Sequence, residues 1–223
     1  MPYQRYRQDL QREGFQHDPA QERAVQHLQR IYDQLMARPE PPAPSKKTGL
    51  LGRLVGREKP AAAGAPAVRG LYLWGGVGRG KTYLVDTFVD ALPLERKQRI
   101  HFHSFMRAVH AELKALKNQP DPLRIVARRF AEQARVICLD EFFVADITDA
   151  MLLDGLLREL FANGVTLITT SNLPPDDLYK DGLQRARFLP AIELIKGHMD
   201  VLNVDGGVDY RLRYLEKAEI YHH

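Results

Sequence analysis

The chain has 223 residues, 44% apolar, 27% charged and 9% aromatic, which excludes disorder over the whole chain and leaves room for one sizeable core. No run of about 18 apolar residues occurs, which excludes a helical membrane span, and the polar start Met1-Pro2-Tyr3-Gln4-Arg5 predicts no secretory signal, so a cytoplasmic protein fits. The net charge of +4 is confined to the start: residues 1–70 hold 12 Lys/Arg against 7 Asp/Glu, and residues 71–223 hold 20 against 21, so the balanced remainder offers little to a nucleic-acid backbone.

Residues 1–37 read as an N-terminal helical segment. Ala24, Val25, Leu28, Ile31, Tyr32 and Leu35 recur at helical spacing, and Asp18-Pro19 supplies an N-cap followed by proline in the first turn. Just before it, Phe15 and Gln21 look like the adenine-reading segment of some helicases, an aromatic to stack on a base and an amide to pair with it. The same residues also suit a helix cap with a hydrophobic staple. Residues 38–68, rich in Pro, Ala and Gly, read as a linker. Within it Leu50-Leu51-Gly52-Arg53-Leu54-Val55-Gly56-Arg57 is basic and mildly amphipathic; it suits a peripheral membrane or partner contact, and equally a loop.

From residue 69 onward strands and helices alternate. Leu71–Trp74 is a strand, Lys81–Leu92 a helix, Ile100–His103 a second strand, and helices follow around Met106–Leu116 and Asp121–Ala134. Val136–Leu139 is a third strand, holding the single cysteine, Cys138; one cysteine excludes a disulfide framework and a cysteine zinc site. A helix capped by Asp146 runs to Asn163-Gly164, Val165–Thr169 is a fourth strand, Leu189–Gly197 a helix and Val201–Val204 a fifth strand. Short apolar strands separated by helices predict an α/β fold with a five-stranded parallel sheet covered on both faces. His101 and His103 alternate on the second strand and read as structural rather than metal-ligating.

Gly75-Gly76-Val77-Gly78-Arg79-Gly80-Lys81-Thr82 follows a strand and opens a helix, as a phosphate-binding loop must. Glycines let backbone N–H groups face phosphates, the helix adds its positive end, Lys81 reaches the β- and γ-phosphates, and Thr82 ligates magnesium. The third strand then delivers Asp140-Glu141 at its carboxyl end, where ligands bind in open α/β sheets. Asp140 is expected in the magnesium shell, and Glu141 as general base on an attacking water. The fourth strand ends Thr169-Thr170-Ser171-Asn172; if it lies beside the loop strand, Asn172 faces the γ-phosphate and orients that water.

These three elements in this order resemble the AAA+ class of P-loop ATPases, with Walker A at residues 75–82, Walker B from Val136 to Glu141 and a sensor-1 asparagine at Asn172. Gly70-Leu71-Tyr72-Leu73-Trp74 running into the loop, Cys138-Leu139-Asp140-Glu141-Phe142, Thr170-Ser171-Asn172-Leu173-Pro174-Pro175, and Gly182-Leu183-Gln184-Arg185 leading to Arg187-Phe188-Leu189-Pro190 are similar to the ZapE cell-division ATPase family. The resemblance implies an ATPase using ATP and Mg2+ and acting as a homo-oligomer. Arg185 or Arg187 would be a finger reaching a neighbouring subunit. FtsZ or another division-ring protein would be the partner, at the inner face of the cytoplasmic membrane. Such chains continue past Tyr221-His222 into a lid with a second sensor, so residues 69–223 read as the ATPase core without its lid. Two alternatives share the core: a nucleotide-gated binding module with negligible hydrolysis, and a helicase-loader-type ATPase acting on DNA.

Overall fold

The computed structural model describes residues 1–12, 15–38 and 67–205; most of the expected linker, with Leu50–Arg57, lies outside them. The elements are α1 (Pro2–Asp9), α2 (Pro19–Met36), β1 (Gly70–Trp74), α3 (Lys81–Ala91), β2 (Lys97–His101), α4 (Phe102–Ala115), α5 (Pro122–Gln133), β3 (Val136–Asp140), α6 (Ile147–Ala162), β4 (Thr166–Ser171), α7 (Leu189–His198) and β5 (Met199–Asn203). All strand pairs are parallel, in the order β2-β3-β4-β1-β5.

The two-residue period of a strand divides the core in two. Leu71 and Leu73 of β1, Val136 and Cys138 of β3 and Ile168 of β4 face one side, under α1, α2 and α3. Tyr72, Ile137, Leu139 and Leu167 face the other, under α4, α5, α6 and α7. Every residue of β4 is buried, as expected for a central strand covered on both faces. Cys138 is fully enclosed, which pushes its thiol up to about 12. Among the described residues no helix is long and apolar enough to cross a membrane.

One reading of the sequence needs correcting. The second strand runs Lys97–His101, not Ile100–His103: it pairs with β3 from Lys97↔Val136 to His101↔Asp140 and stops where β3 stops. His103 therefore lies on α4, on a helix rather than a strand face. The periodicity hid this because β2 is a polar edge strand, registered by its backbone ladder rather than by an apolar run. Within the expected helical segment the first helix, α1, is short and polar, and only Tyr6 among its large residues is wholly buried. As predicted, α2 is capped by Asp18, whose carboxylate accepts from the N–H groups of Ala20 (2.8 Å) and Gln21 (3.4 Å).

Asp200 of β5 ties α2 to the sheet edge. Its Oδ1 pairs with Arg69 Nε at 2.6 Å, and its Oδ2 with His27 Nδ1 at 2.8 Å and Arg30 Nη2 at 3.0 Å. Arg69 also donates to the carbonyls of Lys196 (3.0 Å), Gly197 (2.5 Å) and Met199 (2.9 Å), closing the last turn of α7. Burial opposes ionisation of Asp200, but hydrogen bonds from Arg69 and His27 and the charge of Arg30 outweigh it and hold the carboxyl below its ordinary value. A carboxyl depressed in the folded state contributes stability above its unfolded pKa and loses it as pH falls through the folded value. Asp200→Asn is accordingly expected to cost about 2 kcal/mol at neutral pH. In denaturant melts its deficit relative to wild type should shrink below about pH 4, the unfolded carboxylate range.

Candidate active site

The loop from Gly75 to Gly80 leaves β1 at the carboxyl edge of the sheet and returns as α3. Gly75, Gly78 and Gly80 have φ of +151°, +82° and +79°, conformations that side-chain-bearing residues seldom adopt. At Gly75 a Cβ would also stand 3.0 Å from Asp205 Oδ1. This shape aims the first turn of α3 and its unsatisfied N–H groups at the space above the sheet, an arrangement suited to an anion.

Lys81 Nζ donates to Gly75 O (2.5 Å), Gly76 O (2.8 Å) and Asn172 Oδ1 (3.1 Å). Asn172 reaches it because β4 does lie beside β1, with Trp74 opposite Ser171, and Gly75 N–H donates to Ser171 O at 3.2 Å. The turn after Asn172 is held from below, where the Tyr72 hydroxyl of β1 donates to Leu173 O at 2.9 Å. Burial pushes the Lys81 pKa below the ordinary lysine value, and the Asp205 carboxylate opposes that shift.

Thr82, Asp140, Glu141 and Thr170 line one open recess together with Arg99, Ile100 and His101. Asp140 is largely buried: Oδ2 accepts from Arg99 Nε at 2.6 Å and Oδ1 from Thr170 Oγ1 at 3.3 Å. Glu141 has φ +55°, and its N–H donates to the same Thr170 hydroxyl at 3.1 Å. The reversal buries Phe142, whose N–H donates to Thr170 O at 2.7 Å, and leaves the Glu141 side chain 82% exposed at the mouth. Thr82 and Asp140 supply a hydroxyl and a carboxylate, hard oxygen donors of the kind magnesium prefers, so these residues fit that ion.

Arg185 and Arg187 are not in the recess. They form a short turn leading into α7, where Arg185 Nη2 donates to Asp176 O (2.5 Å) and the exposed Arg187 donates from Nη1 to Gln184 Oε1 (3.0 Å). Val77 is an exposed residue of the loop. Gln21 is 1% exposed and does touch the loop: its Nε2 donates to Arg79 O at 3.3 Å, and its Oε1 is buried with no hydrogen bond among the described residues. Phe15 packs between Tyr6 and Tyr83, at centroid distances of 6.0 and 5.4 Å.

Three residues escaped the sequence reading. Asp205, just past β5, accepts from Gly76 N–H at 2.8 Å and pairs with Arg79 Nε at 3.2 Å. Arg99 pairs with Asp140, and Thr170 joins Asp140 to Glu141. The signals were faint: a carboxylate after the fifth strand, a charge inside the second, and a hydroxyl two residues before Asn172.

The chain matches the family described as AFG1-like ATPase over residues 1–223. It is 55% identical over 223 residues to the cell division protein ZapE of Escherichia coli K12, covering 99% of this chain and 58% of that protein. It is 42% identical over 161 residues to lactation elevated protein 1 homolog B of Danio rerio, covering 67% and 32%. The chain thus spans less than two thirds of the length of these relatives. Among solved structures it resembles DnaI (TM-score 0.54, 19% identity, 95% of this chain and 94% of that one) and AMPPCP-bound DnaA from Aquifex aeolicus (TM-score 0.54, 14% identity, 92% and 53%). At these identities the likeness shows the fold alone.

Proposed function

The chain belongs to the AFG1-like ATPase family, and on that premise we propose that it binds Mg-ATP over the loop Gly75–Thr82 and hydrolyses it to remodel a protein partner of the division ring. The observation that carries this reading is the bond from Lys81 Nζ to Asn172 Oδ1 at 3.1 Å, beside the recess shared by Thr82, Asp140 and Glu141. It brings Lys81 of the loop and the polar tip of the neighbouring strand to one point.

Each residue has a separate task. The loop N–H groups and Lys81 hold the phosphates, with Thr82 and Asp140 holding magnesium, whose contribution is to neutralise phosphate charge. Glu141 accepts the proton of the attacking water at its exposed carboxylate, and Asn172 orients that water. Arg187 stabilises transition-state charge in a neighbouring subunit, so hydrolysis requires oligomerisation. Gln21 reports on the loop through Arg79 and offers its free Oε1 to the adenine edge. FtsZ is the proposed partner, following the family resemblance and the cell-division role named for the Escherichia coli relative.

Titration with a fluorescent ATP analogue tests the binding step. Lys81→Ala is expected to weaken affinity about 100-fold, the loss of a charged hydrogen-bonding group on a triphosphate. Absence of binding by the wild type, or equal affinity in the variant, would sink the reading. Phosphate release with and without FtsZ filaments then tests the partner; an unchanged rate and no co-sedimentation would remove FtsZ.

A further inference from the structure

Arg99 stands in the middle of the edge strand β2, and it lines the same recess as Thr82 and Asp140. It spans two elements that no short motif connects. Its Nε donates to Asp140 Oδ2 at 2.6 Å at the tip of β3, and its Nη1 pairs with Asp86 on the loop helix α3. Side-chain exposure is 24% for Arg99 and 14% for Asp140, against 51% for Asp86. The second oxygen of Asp140 accepts from Thr170 at 3.3 Å, so both carboxylate oxygens are engaged by the protein itself.

We propose that Arg99 is a resident counter-cation of the metal site, a positioning residue that neutralises Asp86 and Asp140 so that these carboxylates do not capture a divalent ion by themselves. Metal entry is thereby confined to the complex with nucleotide phosphates. The planar fork of arginine suits this task, because one rigid cation satisfies two carboxylates with fixed geometry. This assignment rests on the reading that Thr82 and Asp140 hold magnesium.

Removing one positive charge a few ångströms from a carboxylate in a partly buried site raises its attraction for a cation by about tenfold or more. The test uses Mn2+ as probe, titrated by electron paramagnetic resonance against the full chain without nucleotide. Arg99→Gln is expected to bind Mn2+ at least about tenfold more tightly than wild type. Arg99→Lys keeps the charge but reaches only one carboxylate, and should gain about threefold. Adding Asp140→Asn to either variant is expected to erase the gain. Circular dichroism melts establish that each variant is folded; if Arg99→Gln is not, the lysine variant decides. No gain in a folded variant, or a gain that survives Asp140→Asn, overturns the assignment. Failure of the ATPase reading would appear separately, as a wild-type chain that binds no ATP analogue.

Discussion

Arg187→Ala is expected to lower ATP turnover by about 10³-fold, the low end of what a trans-acting arginine supplies, while the affinity of the dilute protomer for ATP stays within about twofold, since Arg187 lies outside the recess lined by Thr82 and Asp140. The structure distinguishes the two arginines that the sequence left equivalent. Arg185 is partly buried, and its Nη2 is committed to Asp176 O at 2.5 Å, where it pins the segment before α7. Arg187 is exposed, and its hydrogen bond is to Gln184 three residues earlier, a short-range contact that a neighbouring subunit can displace. Arg185→Ala should therefore show itself chiefly as a lower melting temperature. Mixing Arg187→Ala with Lys81→Ala provides the sharper measurement. One partner supplies an intact nucleotide loop and the other an intact arginine, so the mixture should recover activity that neither has alone. Unchanged turnover in Arg187→Ala, or turnover per subunit that stays constant on dilution to monomer, would refute the trans role.

Glu141→Gln is expected to reduce turnover by about 10³-fold with ATP affinity retained, because an amide cannot accept the proton of the attacking water. Pre-steady-state phosphate release, set beside equilibrium binding of the same variant, separates the two effects. The expectation draws on an uncommon backbone state. A non-glycine residue at φ +55° costs roughly 1–2 kcal/mol, and here the distortion returns Phe142 to the core while leaving the carboxylate exposed at the recess. His101 Nδ1 is 3.7 Å from Glu141 Oε2, within ion-pair range but too far for a hydrogen bond. Turnover in Glu141→Gln equal to wild type would remove Glu141 from the chemistry and favour a nucleotide-gated binding module.

Much of the site was legible because its chemistry sits on consecutive residues. Gly75–Thr82 and Asp140-Glu141 each declare a backbone shape and a set of donors within a few positions, and the strand-helix alternation around them declares a parallel sheet. The second strand was misplaced because it carries no apolar period and is registered by its ladder with β3; α1, inside the expected helical segment, is likewise polar and is held by the burial of Tyr6.

The sequence by itself determined the glycine-rich loop, the acidic strand end and the class of sheet, since local spacing and turn chemistry suffice for them. Only the tertiary structure decided what those groups touch. Strand order puts β4 beside β1 and brings Asn172 to Lys81 across 91 positions. Asp205 reaches Gly76 across 129 positions, and Arg99 reaches Asp140 across 41. Side chains so far apart in the chain share no pattern with a period of two or 3.6 residues. Their meeting follows from which strands pair and which face of each strand they occupy.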